Sequence, residues 1–480
     1  MKTPLKSIDE RLGLSPLTKA IFLRHVPVGL NWWYSLGSAA LFLLLLQIVT
    51  GTFLAMSYSA TPERAYDSIR YIMSEVPYGW FIRGLHHWGA SAMVAVVILH
   101  LASTFVLGAH KYPREAIWLF GVALFLVVLG FGFTGYLLPW DQKAYWATTV
   151  GTNMAGTVPG VGPALVKLIR GGADVGVIAL TRFYAIHTLL LPLIISGLAA
   201  VHVALVIYHG VSVSPGLWHR GLRQPKDDGP GRLISSYHEK YAAFKARGPS
   251  FWPHMIADDL RTGLIIFLIL AALTIFFGVP LDERADPTDT TYIPRPEWYF
   301  MGLFELLKYF PGALEWVGVA LIPGLLVLLL FLAPWLSRGE ERRPLKRPLG
   351  MVSLSLILLA SAGLTLRAYQ TTPPTEVVER GVVLTSQQLR GRQIVEQQGC
   401  NSCHVINGEG GYEGEDEAKK GPPLDGIPHR MTAADIHTFM EKPKALNPDA
   451  LMKPLIPPLT HEGVEAITQY LLTLENGVTE

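Results

Sequence analysis

Six histidines fall within two long apolar stretches of the sequence: His86, His87 and His100 in one, and His187, His202 and His209 in the other. An ionisable side chain at membrane depth is costly and marks function by default. His86 and His100 are 14 residues apart, about 21 Å of helical rise, and at ~100° per residue they return to within about 40° of one face. His187 and His202 are 15 residues apart, with a similar rise and about 60° of rotation. Two helices crossing in the same direction therefore present two matched levels, His86 opposite His187 and His100 opposite His202. A pair of neutral imidazoles facing each other across a bundle is what b-type haem needs, because each ring gives one axial nitrogen and keeps the other for an orienting hydrogen bond. Histidines that bond to neighbouring helices or line a proton path are the competing reading; four at two levels favour haem. His87 and His209 have no matched partner and read as packing or interfacial residues. Gly37 and Gly51, and Gly121 and Gly135, recur at the same 14-residue interval. A residue without a side chain lets a helix approach a porphyrin closely, although small-residue helix packing gives the same pattern. Arg83, one turn before His86, and Arg114, near the inner end of the bundle, are candidates to pair with haem propionates or to serve as interfacial anchors.

A second centre is written locally. Cys400-Asn401-Ser402-Cys403-His404 is a C-x-x-C-H sequence that uses both cysteines of the chain. It tethers c-type haem through two thioethers and offers the histidine as proximal ligand; a disulfide or redox pair is the alternative. The sixth ligand is expected downstream, and Met431 and Met440 read as core residues.

The elements that must hold these groups follow from composition. Half of the 480 residues are hydrophobic and 16% are charged, below the roughly 25% usual for soluble domains. An ordinary soluble enzyme, a disordered chain and a disulfide scaffold are thereby excluded. Seven runs are long enough to cross a bilayer: Asn31 to Thr61, Trp88 to Ala109, Ala116 to Trp140, Phe183 to about Trp218, Thr262 to Leu281, Trp316 to Ser337 and Leu349 to Leu366. Lys and Arg concentrate before the first run and after the second, fourth and sixth, which predicts a cytoplasmic N-terminus and an extracytoplasmic C-terminal part. The expectation is an all-α, multi-pass protein of a bacterial cytoplasmic membrane with no nucleic-acid partner. Residues 1–374 carry 31 Lys and Arg against 22 Asp and Glu, a net +9, while 375–480 carry 9 against 16, a net −7. Two physical objects thus share the chain. The predicted division is 1–30, a cytoplasmic segment that could lie on the membrane as an amphipathic helix; 31–218, a dihaem four-helix bundle; 219–261, a cytoplasmic connection; 262–368, three further helices; 369–388, a linker; and 389–480, a small all-α haem domain. The acidic cluster Glu413, Glu415, Asp416 and Glu417 either steers a basic partner or is a solvated loop.

With these residues in view, positions 20–340 resemble the cytochrome b subunit of the bc-type quinol oxidoreductases. The stretches RGLHHWGASAMVAVVILH, GFTGYLLPWDQKAYWA and TRFYAIHTLLLPLIISGLAAVH carry the likeness, and the 15-residue second spacing resembles the plastoquinol-oxidising branch. In that branch the four-helix and three-helix parts are separate chains, whereas here they read straight through. The resemblance implies that Pro296-Glu297-Trp298-Tyr299 walls the outer quinol site, with Glu297 accepting a proton from the quinol, opposite Tyr136 and a short helix from Asp141 to about Thr152. A carboxylate at the edge of a dry pocket suits that role. It also implies that Asp259 helps protonate quinone at the inner site, where the histidine of the mitochondrial pattern is missing from the fourth span. Ser35 stands where the plastoquinol branch has a cysteine that holds a third haem, so a covalent third haem is not expected. Residues 389–480 resemble small class I cytochromes c, with Met452 in their methionine position and Leu459 to Leu471 as their C-terminal helix. The cofactors implied are two haem b and one haem c, with quinol and quinone as substrates. The partners implied are a Rieske iron–sulfur protein, the quinone pool, a cytochrome c or other acceptor, and a second copy in a homodimer. A dihaem anchor of a hydrogenase or dehydrogenase is the competing enzyme, and a proton-relaying transporter the non-enzymatic alternative.

Overall fold

The computed structural model describes all residues except 1–10, 12–14, 16–17, 19–21, 173, 221–236, 289–291, 293, 373–377, 380–381, 401–402, 407–408, 412–419, 448–458 and 475–480. Met452, the acidic cluster at 413–417 and most of the N-terminal segment therefore lie outside the described residues. Seven helices are long and apolar enough to cross a membrane. They are α1 (Trp32–Ala55), α3 (Gly79–Val106), α4 (Glu115–Tyr136), α7 (Val177–His209), α9 (Phe251–Phe277), α11 (Gly312–Leu336) and α12 (Pro348–Thr371). Between them lie α2 (Ala65–Ser74), α5 (Gln142–Gly156), α6 (Gly162–Arg170), α8 (Tyr237–Ala246) and α10 (Trp298–Leu307).

Several boundaries differ from the apolar runs. The second span begins at Gly79 rather than Trp88, because Arg83, which interrupts the run, is buried and donates to the carbonyls of Val279 and Pro280 at 3.1 and 3.2 Å. A charged residue satisfied inside protein does not end a helix. The fourth span ends at His209 rather than Trp218, because Gly210 turns the backbone to φ +73°, a conformation that favours glycine. The fifth begins at Phe251 rather than Thr262. Its polar first turns, with Asp258 and Asp259, hold the N-terminal end of the helix, where acidic groups oppose the dipole favourably. Helices α2 and α6 arise in connections without a long apolar run.

The bundle is built by α1 against α3 and α7 against α4, with α9 packed on α3. Leu43, Leu85, Met93, Val94, Val128, Ile195 and Leu270 form one buried cluster between them. The lipid-facing sides remain apolar: Leu193, Leu268 and Leu359 are among many exposed hydrophobic residues, as expected where lipid is the solvent. Short helix α10 docks on α12 through Glu305, which pairs with Lys308 at 2.7 Å and Arg367 at 3.2 Å and accepts from Thr371 at 2.8 Å. A buried carboxylate requires that full set of partners.

The C-terminal domain contains α13 (Ser386–Gln397), α14 (Ala433–Glu441) and α15 (His461–Leu471), with two short antiparallel ladders, β1 (Val378–Glu379) with β2 (Val382–Val383) and β3 (Val405–Ile406) with β4 (Glu409–Gly410). Gly391 of α13 lies against the carbonyl of Ala466 in α15, a spacing that admits no side chain. Val395, Ile406, Ile436, Ile467 and Tyr470 form the core, with Met431 and Met440 packed onto it. Arg392 pairs with Glu283, so this domain meets the connection between α9 and α10.

Candidate haem and quinol sites

The four histidines meet four glycines. A methyl group placed on Gly37 would stand 3.2 Å from the His100 ring, one on Gly51 3.0 Å from His86, one on Gly121 3.4 Å from His202 and one on Gly135 2.5 Å from His187. Each glycine of α1 and α4 thus stands against one histidine of α3 and α7. His86 and His187 face each other with ring centroids 6.4 Å apart at 74°, a gap that one metal ion spans with bonds of about 2 Å on each side. His100 and His202 lie near enough to interact electrostatically.

The unequal histidine intervals are reconciled by the backbone. Residues Ile186–Leu190, which include His187, form a single π turn ahead of Pro192. Pro192 has no N–H to close the helical bond to Thr188, which favours the wider turn. A π turn accommodates one extra residue, so 15 positions on α7 advance much as 14 do on α3.

Hydrogen bonds set the ring tautomers at one level. Thr50 Oγ1 donates to the Leu46 carbonyl at 2.7 Å and lies 2.9 Å from His86 Nδ1. Thr134 Oγ1 donates to the Gly130 carbonyl at 2.8 Å and lies 3.1 Å from His187 Nδ1. A hydroxyl whose proton is committed to a carbonyl accepts from the ring, so each Nδ1 carries hydrogen and each Nε2 presents a lone pair to a metal. The two threonines immediately precede Gly51 and Gly135, a Thr-Gly signal legible in the sequence but not read from it. Leu36 and Phe120 precede the other two glycines, so the His100 level lacks these hydroxyls. The donor set and the glycine clearances fit a porphyrin held between imidazoles at both levels.

The arginines at the two ends are buried. Arg83 reaches the carbonyls of the α9–α10 connection, and Arg114 donates to the Gly210 carbonyl at 3.1 Å and lies over the rings of Tyr237 and Tyr241.

Beyond the His86 level lies the proline-rich wall. Asp141 caps α5 by accepting from Ala144 N at 2.8 Å, and its second oxygen accepts from Asp282 N at 3.2 Å. Burial and then the neighbouring Asp282 hold the Asp141 carboxyl above its usual range. The α9–α10 connection is stitched to α5 through Gln142 N to Glu283 O at 2.8 Å and Ala285 N to Trp140 O at 3.1 Å. Pro296 and Glu297 lead into α10, and the Glu297 side chain makes no cap to that helix. It instead accepts from Lys143 Nζ at 3.2 Å. Lys143 also stands 5.5 Å from the centre of the Tyr136 ring, and Tyr136 donates to the Arg295 carbonyl at 3.1 Å. Trp298 and Tyr299 pack edge to face, 5.4 Å apart, and both rest on the bundle core. Burial pushes the Tyr299 phenol up, with Glu297 adding to the effect. Glu297, Tyr136, Pro296, Trp298 and Tyr299 therefore assemble at one place. Lys143 joins them unforeseen, since nothing local ties it to a residue 154 positions away.

At the opposite end a cavity of about 360 Å³ opens beside Ser35, lined also by Asn31, Trp32, His254, Asp258 and Arg261. Asp259 does not line it; its carboxylate accepts from Ser38 Oγ at 2.6 Å.

In the C-terminal domain no disulfide joins Cys400 to Cys403, and burial pushes the Cys400 thiol up to about 12, the reverse of a reactive redox cysteine. His404 Nδ1 lies 2.7 Å from the Pro422 carbonyl, which again makes Nδ1 the donor and leaves Nε2 for a metal. Gly421 lies flat against that ring.

Comparison with known proteins agrees with this geometry. The family described as cytochrome b/b6/petB matches residues 22–210, that described as cytochrome b (C-terminal)/b6/petD matches 284–386, and cytochrome c matches 388–475. The chain is 34% identical over 351 residues to a cytochrome bc complex cytochrome b subunit of Chlorobaculum thiosulfatiphilum, covering 72% of this chain and 77% of that one. It is 42% identical over 213 residues to the menaquinol:cytochrome c reductase cytochrome b subunit of Geobacillus thermodenitrificans, covering 43% of this chain and 95% of that one. Among solved structures it resembles a hyperthermophilic respiratory Complex III, with a TM-score of 0.65 at 29% identity over 77% of this chain and 92% of that one. Paired histidines across a seven-span bundle, a Pro-Glu-Trp-Tyr wall and these matches lead to one conclusion: the chain belongs to the cytochrome b/b6 family and carries a cytochrome c domain at its C-terminal side.

Proposed function

We propose that this protein is the membrane subunit of a proton-translocating quinol:cytochrome c oxidoreductase, with two haem b sites, one haem c site and an electron-accepting domain joined to the same chain. The observation that carries the proposal is the convergence of Glu297, Lys143 and Tyr136 directly beyond the His86/His187 pair. His86 with His187, His100 with His202, and His404 with Met452 would hold the haems, which would supply one-electron carriers there. Every other step belongs to side chains. Pro296, Trp298 and Tyr299 wall the pocket and exclude water. Glu297 takes the proton of a quinol hydroxyl, and Lys143 holds the carboxylate in place for it. One electron would leave to a separate Rieske iron–sulfur protein, and the groups held at the two histidine levels would carry the other across the membrane. That electron is used at the cavity beside Ser35, where His254 and Asp258 line the space and deliver protons to quinone, with Asp259 one position behind them on Ser38. The positive connections face the cytoplasm and the C-terminal domain lies outside, so protons from quinol are released externally. The C-terminal domain takes the Rieske electron and passes it to a soluble or membrane-attached acceptor. A hydrogenase or dehydrogenase anchor needs no Pro-Glu-Trp-Tyr wall. The test is Glu297→Gln in the assembled complex. Quinol oxidation should slow by roughly 100-fold or more, the usual share of a general base, while all haem bands stay intact; loss of a haem band, or an unchanged rate, refutes the assignment.

A further inference from the structure

Three metal-competent side chains converge on the C-terminal domain, outside the sites described above. His437 and Glu441 lie four residues apart on α14, on one face of the helix, and His461 opens α15. Their ligand atoms all lie within 4.8 Å of one another. Glu441 Oε1 is 3.9 Å from His437 Nδ1 and 3.5 Å from His461 Nδ1, and the two imidazole centroids stand 4.8 Å apart.

A simple ion pair explains this cluster poorly. Glu441 is the last residue of α14, where the helix end already carries partial negative charge, and His461 is the first residue of α15, where it carries positive charge. An imidazolium and a carboxylate at those positions each sit at the unfavourable pole. A divalent cation removes both conflicts: it neutralises Glu441 and keeps His461 an uncharged ligand. Two imidazoles and one carboxylate suit zinc and its neighbours, whereas calcium and magnesium need six or more oxygen ligands. With bonds of about 2.0–2.2 Å, ligands around one ion stand roughly 3–4 Å apart, so the present spacing closes with small rotations. Glu441 and His461 are 43% and 81% exposed and free to make them, while His437, at 20%, is held by the domain.

We propose that His437, Glu441 and His461 form a site for a zinc-class divalent metal that ties α14 to α15, with a fourth position open to water. In sequence, these two helices flank the segment that holds Met452, so the ion joins the two ends of that segment.

The full chain, purified in detergent and stripped with chelator, is dialysed against zinc, and bound metal is counted by mass spectrometry. Wild-type protein should hold one more zinc per chain than His461→Ala or Glu441→Gln, and an excess of calcium should not displace it. Each variant should weaken that site by more than the roughly 10–100-fold that losing an outer-shell partner costs, while the haem c spectrum, the control for folding, is unchanged. Those two residues are exposed, so the comparison stands even if His437→Ala fails to fold. Equal zinc content in wild type and His461→Ala, or displacement by calcium, overturns the proposal.

Discussion

Replacing each of the four facing glycines by alanine gives a graded prediction. The added methyl would stand 3.4 Å from the His202 ring at Gly121, 3.2 Å from His100 at Gly37, 3.0 Å from His86 at Gly51 and 2.5 Å from His187 at Gly135. The first is nearly an ordinary contact. The last lies about 1 Å inside the usual carbon–carbon separation of roughly 3.5–4.0 Å, so the ring must move away from the axis it shares with His86. Overpacking of this kind costs about 1–3 kcal/mol, roughly a 5- to 150-fold loss of haem affinity at the tightest position. Haem b retained per chain after detergent purification, measured from reduced-minus-oxidised spectra, should therefore fall in the order Gly121→Ala, Gly37→Ala, Gly51→Ala, Gly135→Ala, with the last losing most. Gly130→Ala is the control on the same helix, because its methyl would meet only Leu191 at 3.8 Å. Equal retention across the series, or a Gly130→Ala loss as large as that of Gly135→Ala, would refute the reasoning that these glycines exist to clear the ligand rings.

Other outcomes follow from single contacts. Thr50→Val and Thr134→Val each leave an imidazole N–H without its acceptor, a cost of about 1–3 kcal/mol; the b haem at the His86 level should weaken and its potential rise, while potentiometric titration finds the other b haem unmoved. Lys143→Met should slow quinol oxidation severalfold and Lys143→Arg should largely restore it, since the paired charge rather than the lysine stem positions Glu297; equal rates in the two variants would contradict this. Asp141 has a raised carboxyl, so its contribution to stability is present below the unfolded value of about 3.9 and is lost as pH rises through the higher folded one. Asparagine keeps the cap without the charge. Its amide nitrogen cannot accept from Asp282 N as the second carboxylate oxygen does, so it is the melting temperature of Asp141→Asn relative to wild type that should be higher at neutral pH than in acid, and a pH-independent difference would show that charge is not the cause.

The parts of this protein that depend on period were legible in its sequence. Seven spans, two histidine levels and the 14-residue glycine interval all follow from helical geometry and bilayer thickness. Helix ends were less legible, because a residue such as Arg83 ends an apolar run without ending the helix that buries it. The Thr-Gly pairs before Gly51 and Gly135 were visible but carried no meaning until the rings they orient were in place. The π turn at His187 left only an indirect trace, the extra residue in the second interval. Lys143 left none, since its partnership with Glu297 depends on how α5 and the α9–α10 connection fold against each other. At the cavity beside Ser35, Asp259 proves to be bonded to Ser38 and its neighbour Asp258 faces the cavity; adjacent carboxylates on one helical turn cannot be separated without the packing around them.

One chain is proposed to hold two bis-histidine haems and one tethered haem on a quinol-linked path. Pyridine haemochrome analysis of the purified chain, combined with reduction by quinol in the assembled complex, tests it most directly. Two haem b to one haem c per chain are expected, with the b haems reduced by quinol more slowly in Glu297→Gln. A single haem b, no haem b, or b haems that quinol does not reduce would contradict it.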